Sequence, residues 1–166
     1  MDVINPKIKH FVFRNKENFH QQITKDPNFI KSILDIRDSA EMSYSFNKNG
    51  FYEFYKSSLK KGGSIFFLYN GKEVIGAIFG YNNRFASREF TMSFVAIKRQ
   101  FQNMGLGEKF LKKAYLELKK LGYTQISMFE TSKAIIRTNE KIVSKNPHYK
   151  KEKRNGTLIK LRRNVK

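Results

Sequence analysis

The chain has 166 residues, with 33 lysines and arginines against 14 aspartates and glutamates and a formal charge of +19. That length suits one hydrophobic core, so residues 1–166 read as a single domain. No cysteine is present and the three histidines (His10, His20 and His148) are widely separated, which excludes disulfides and thiolate centres and argues against a zinc enzyme, so no metal is expected.

Apolar runs are short and broken by charge, which argues against a signal peptide or a membrane span and indicates a cytoplasmic protein. The positive excess attracts polyanions through its long-range field and through counterion release. From Lys133 to Lys166 there are twelve basic residues and two acidic ones, which makes this end the expected polyanion-facing surface.

In chain order, "KIKHFVF" (Lys7 to Phe13) reads as a strand. "PNFIKSILDIRDSAEMSYSF" (Pro27 to Phe46) reads as a helix opened by Asp26 and Pro27. A second short helix fits "GFYEFYKSSLKK", closed by Gly62 and Gly63. "SIFFLYNGKEVIGAIFGY" contains two β-rich runs joined at Asn70-Gly71, a hairpin signal, and Arg88 to Ile97 completes a meander. The next helix shows a 3.6-residue apolar period through Phe110, Leu111, Ala114, Tyr115, Leu118 and Leu121 and ends at Gly122. A strand over Tyr123 to Glu130 follows, then a helix from about Ser132 to Lys145 stopped by Pro147, and a closing hairpin around Asn155-Gly156. This order predicts an α/β (α+β) fold, a mixed and mostly antiparallel sheet of about seven strands flanked by about four helices. The strand, helix, strand step through Phe110 to Leu121 calls for a parallel crossover.

Between the third meander strand and its helix lies "RQFQNMGLGEKF". A strand entering Gly105-x-Gly107 at a helix start turns several backbone N–H groups outward, and these donors with the helix dipole make an anion site that suits phosphate. Glycine allows an anion to approach the main chain closely. The run is not a Walker loop, which needs Gly-Lys-Ser/Thr, nor a dinucleotide fingerprint, which needs glycine at position 110, where Phe110 stands.

The run from Ile97 to Gly107 resembles the acetyl-CoA signature of the GNAT superfamily of N-acyltransferases, with Gln102, Gly105 and Gly107 in register. By that resemblance acetyl-CoA is the acyl donor. The N–H groups of Gln102, Asn103, Met104, Gly105, Leu106 and Gly107 hold its pyrophosphate, and the main chain around Ile97 pairs with the pantetheine arm like an added strand. The resemblance covers most of the chain from Ser64 onward.

In the family, the helix after the next strand carries an Asn near the coenzyme and, seven residues later, a Tyr that protonates the leaving thiolate. Here "SKAIIRTNEKIVSKNPHY" puts Ser132 on the Asn and Asn139 on the Tyr. A shifted register makes Asn139 the coenzyme-contacting Asn and leaves Asn146 at the Tyr position. The phenol is missing in both. Asn139 also lies at the centre of the apolar face formed by Ile135, Ile136, Ile142 and Val143, where its amide needs a partner from the protein or a ligand. Relatives that acetylate protein N-termini often carry a Glu at the position of Ser127. The candidate carboxylate bases are Glu130 and Glu89.

The resemblance implies N-acetyl transfer to a primary amine. The acceptor region offers Tyr44, Tyr52, Tyr55, Tyr81 and Phe85 and few carboxylates, which suits a polycationic acceptor poorly. The net charge points to an acceptor that is anionic or carried on nucleic acid, such as an aminoacyl-tRNA or a nucleic-acid-bound protein. The alternative is a non-catalytic GNAT-like module that binds nucleic acid through its basic C-terminal face.

Overall fold

The structure, a computed structural model, describes residues 6–14, 17–18, 21, 25–26, 28–39, 53, 62–83, 86, 88–128, 132–154 and 156–161. The expected second helix over residues 50–61, apart from Glu53, lies outside the described residues, as do Pro27, Tyr44, Tyr52, Tyr55, Phe85, Glu130 and Asn155. Two compact units divide the chain: Met1–Tyr81 with Phe94–Gln102, and Asn82–Ser93 with Asn103–Lys166. Seven strands pair in the order β1-β2-β3-β4-β5-β7-β6.

The first unit holds β1 (Pro6–Phe13), α1 (Asn28–Ser39), β2 (Gly63–Asn70), most of β3 (Glu73–Asn82) and the end of β4 (Glu89–Ile97). Asp26 Oδ1 accepts from the Asn28 N–H at 3.1 Å, so the expected start signal caps α1. Ile33 and Ile36 of α1 are buried with Phe13, Ile65, Phe67, Ala77, Phe79, Phe94 and Ala96, forming one core cluster. Phe79 stacks on Phe94 with centroids 5.1 Å apart. Such ring packing carries much of the burial energy of this unit.

The β2–β3 hairpin pairs Asn70 with Glu73, so its turn residues are Gly71 and Lys72, one position later than the Asn-Gly reading. Only Gly71 has positive φ, +58°. A glycine at the first central position is what a two-residue turn of this kind requires. The register shifts between Leu68 and Tyr69. Opposite, a Cβ at Gly76 would lie 3.1 Å from the Ala96 carbonyl oxygen and 3.1 Å from Ile97 Cγ1, so only glycine lets the chains approach this closely.

In the second unit, α2 (Leu106–Lys120) leads into β5 (Gln125–Met128), which pairs parallel with the start of β4 from Glu89↔Gln125 to Met92↔Met128. This is the parallel step that the element order demands. Phe110, Leu111, Ala114, Tyr115 and Leu118 are buried, but Leu121 is 47% exposed. The helix has already ended there. Gly122, at φ +93°, donates to the Lys119 carbonyl at 3.0 Å and Tyr123 donates to that of Leu118 at 3.2 Å, a Schellman closure that turns Leu121 outward. Because the Tyr123 N–H is spent on this cap, β5 begins at Gln125 rather than Tyr123.

The unit closes with α3 (Lys133–Ser144), β6 (Tyr149–Arg154) and β7 (Gly156–Leu161). Ser132 caps α3 by accepting the Ile135 N–H at 3.2 Å. β7 pairs antiparallel with both β5 and β6, which leaves the lysine-rich β6 at the sheet edge. Lysines on an edge discourage pairing with another chain. Three α-helices thus have described bounds, against the four expected. No helix among the described residues is long and apolar enough to cross a membrane, and no group of three potential metal-ligating side chains occurs among them.

Candidate functional site

β4 shows strict alternation, with Phe90, Met92, Phe94 and Ala96 buried and the intervening residues partly exposed. Its end is held on several sides. The Lys98 N–H donates to the Ile75 carbonyl at 2.8 Å, and Lys98 Nζ pairs with Glu73 at 2.8 Å. A 3-10 turn over Arg99–Phe101 follows, and its first N–H donates to Ser39 Oγ at the end of α1 (3.1 Å). Gln102 then reaches back, its Nε2 donating to the Ile97 carbonyl at 2.8 Å. The glutamine therefore ties the loop to the strand, and its own N–H, expected among the anion-holding amides, is instead spent on the Arg99 carbonyl at 3.1 Å, which closes the 3-10 turn.

Asn103 and Gly105 both have positive φ, +61° and +73°. Gly105 is the N-cap of α2, and no side chain caps that helix. Among the described residues the N–H groups of Asn103, Met104, Gly105, Leu106 and Gly107 donate to no protein acceptor. Residues 102–105 are exposed. A Cβ at Gly105 would meet no protein atom within 4 Å, so the positive φ, rather than crowding by the protein, selects glycine there. Five amides without an acceptor among the described residues, at an uncapped helix start, are donors of the kind that favour an anion.

Asn139, expected on the apolar face of its helix, is fully buried. Its Oδ1 accepts from the Tyr115 hydroxyl at 2.6 Å, and its Nδ2 lies 3.1 Å from Met128 Sδ. Tyr115 is itself fully buried and packs edge-on against Tyr149, with centroids 5.9 Å apart. Burial pushes the Tyr149 phenol above its ordinary range. In the sequence Tyr115 reads only as one apolar position in the α2 period. The signal available was its hydroxyl, which on a buried face needs a partner.

The other candidates are dispersed. Ser132 is the N-cap of α3, and Asn146 builds the turn after that helix, accepting the His148 N–H at Oδ1 (3.0 Å). Glu89 and Ile97 stand at opposite ends of the nine-residue β4. The Glu89 carboxylate accepts from Asn83 Nδ2 at 2.8 Å. Ser127 faces Thr91 across the parallel pair, with the hydroxyls 3.2 Å apart. Tyr81, at the end of β3, is half-buried.

A second feature of α2 escaped the sequence reading. Glu108, in its first turn, receives Lys112 at 2.9 Å, Lys141 at 2.7 Å and Lys145 at 3.8 Å. Hydrogen bonds from Lys141 and then Lys112 hold its carboxyl down at about 2. Only the Lys112 contact, four residues along the same helix, could have been read from spacing.

The sequence matches the acetyltransferase (GNAT) family over residues 30–137. The fold is similar to that of the Escherichia coli ribosomal-protein-S18-alanine N-acetyltransferase, with 14% identity, 96% of each chain covered and a TM-score of 0.64. It is also similar to Ard1 from Thermoplasma volcanium, with 14% identity, 95% of each chain covered and a TM-score of 0.60. A third likeness is to the NatC complex bound to Gag peptide and CoA, with 12% identity, 93% of this chain and 95% of that one covered, and a TM-score of 0.58. No protein of curated function matches the sequence. Identities this low speak for the fold alone, whereas the family match spans well over half of the chain, and on that ground the protein belongs to the GNAT acetyltransferase family.

Proposed function

We propose that this protein transfers an acetyl group from acetyl-CoA to a primary amine. The observation that carries this reading is the run of five amides from Asn103 to Gly107, unused by the protein at the uncapped start of α2. These residues fit the pyrophosphate of a coenzyme A thioester, and the main chain around Ile97 fits its amide-bearing arm. The thioester supplies an activated acyl group. The protein's tasks are to place the amine against that carbonyl and to polarise it.

Glu89 and Glu130 remain the carboxylates proposed to accept the amine proton. Asn139 can donate an N–H but cannot deliver a proton as a phenol does, so the departing thiolate takes its proton from water. The acceptor fits something anionic, or an amine carried on something anionic, because the +19 balance far exceeds what one coenzyme requires.

Isothermal titration with acetyl-CoA tests the reading. Micromolar binding by the wild type, lost in Gly105→Glu, is expected, and no binding by the wild type would overturn it. A second reading, a non-catalytic module of the same fold, is favoured by one observation: the Asn139 amide is engaged by Tyr115 and Met128 inside the core. Thiol release from acetyl-CoA in an amine screen separates the two.

A further inference from the structure

We propose that the outward face of α3 and its C-cap, formed by Lys133, Arg137, Lys141 and the C-cap Lys145, is a docking surface for the phosphate backbone of a nucleic acid. At about 100° per residue these four cations lie within one face, centred opposite the fully buried Asn139. All four are exposed. Successive members are four residues apart, about 6 Å along the axis, so the stripe runs about 18 Å. Each strand of a duplex presents one phosphate per roughly 3.4 Å of axis, so a stripe of this length can meet several.

Among the described residues two carboxylates stand beside this charge. Glu140 lies on the flank of the stripe and is paired with Lys151 of β6 at 3.6 Å. Glu108, at the α2 side, is shared among Lys112, Lys141 and Lys145, which leaves three ammonium groups around one carboxylate. Lys133 and Arg137 meet no acidic partner among the described residues. Like charges at four-residue spacing destabilise a helix, and α3 carries three such pairs in succession. A polyanion along the face removes that repulsion.

The chemistry of the face selects the partner. The large apolar residues of α3, Ile135, Ile136, Ile142 and Val143, lie on the side of Asn139, away from the stripe, where the small Ala134 alone is apolar, so no large apolar side chain of α3 is available to enter a lipid surface. No aromatic residue interrupts the stripe, so it suits phosphates rather than stacked bases. Four phosphate contacts predict a log–log salt slope of about −3.6 on duplex DNA.

The test is fluorescence anisotropy with a labelled 20-base-pair DNA duplex at rising salt, without acetyl-CoA. The wild type is expected to bind, and the double variant Lys133→Ala/Arg137→Ala to lose about 1.8 from the slope. The variant Lys7→Ala/Lys72→Ala, which removes the same charge from exposed positions in the first unit, is expected to leave the slope unchanged. Three results would each overturn the proposal: no wild-type binding at 50 mM salt, an equal loss of slope in both variants, or tighter binding to phosphatidylserine vesicles than to the duplex. Thermal melts of both variants establish that they are folded. Because the coenzyme is absent, the outcome is independent of the acetyl-CoA titration, and either reading can fail alone.

Discussion

The Tyr115 hydroxyl and Asn139 Oδ1 are joined by a 2.6 Å hydrogen bond between two fully buried side chains on consecutive helices. Removing a buried donor while its acceptor stays in place costs about 1–3 kcal/mol. Tyr115→Phe is therefore expected to lower unfolding stability by that amount in urea, with the denaturant slope unchanged. A loss below about 0.5 kcal/mol would mean that the bond contributes little net stability.

Gly105 and Gly76 are expected to respond to alanine for different reasons. At Gly105 a Cβ meets open space, and the cost is that of φ +73°, about 1–2 kcal/mol. If an anion sits on this loop, acetyl-CoA affinity falls more steeply from Gly105→Ala to Gly105→Glu than stability does. Parallel melts and titrations of the two variants measure this. Equal affinity in both would remove the loop from the coenzyme site.

At Gly76 the added carbon would press on the Ala96 carbonyl and Ile97 at 3.1 Å, and backbone cannot yield as a side chain does. Gly76→Ala is expected to destabilise by about 1–3 kcal/mol. It also displaces the strand end from which the 102–107 loop departs. Amide shifts at Ile97 and Lys98 in a heteronuclear spectrum would register the movement. An unchanged spectrum with full stability would argue against the close approach of β3 and β4.

Glu108 titrates near 2 instead of its ordinary 4.5, chiefly through hydrogen bonds from Lys141 and then Lys112. A depressed folded-state value means that its contribution to stability is present above the unfolded value and is lost as pH falls from about 4.5 toward 2. Carboxyl-carbon NMR should show the Glu108 midpoint far below those of other glutamates, and Glu108→Gln should flatten stability across that window. The effect is small and shrinks in 1 M salt because the group faces solvent. A midpoint near 4.5 would show that the lysines do not converge on it.

Much of the architecture is legible in short stretches. Gly71 announces the hairpin turn, although the pairing places the turn one residue later because only Gly71 takes positive φ. Gly122 announces the end of α2, yet the period that marked Leu121 as core could not foresee that the cap would turn it outward. The loop from Asn103 to Gly107 is legible as a helix entry with unused amides, because amides, helix dipole and glycine are properties of contiguous backbone.

Alone, then, the amino-acid sequence determined the types of the described elements and the place of the glycine loop at the start of α2, since each arises from residues within a few positions of one another. Only the tertiary structure decided that Tyr115 would meet Asn139, 24 residues on, and that Lys141 and Lys145 would converge with Lys112 on Glu108. These partners come from different helices, and their meeting depends on how α2 and α3 pack, which no local periodicity or spacing encodes.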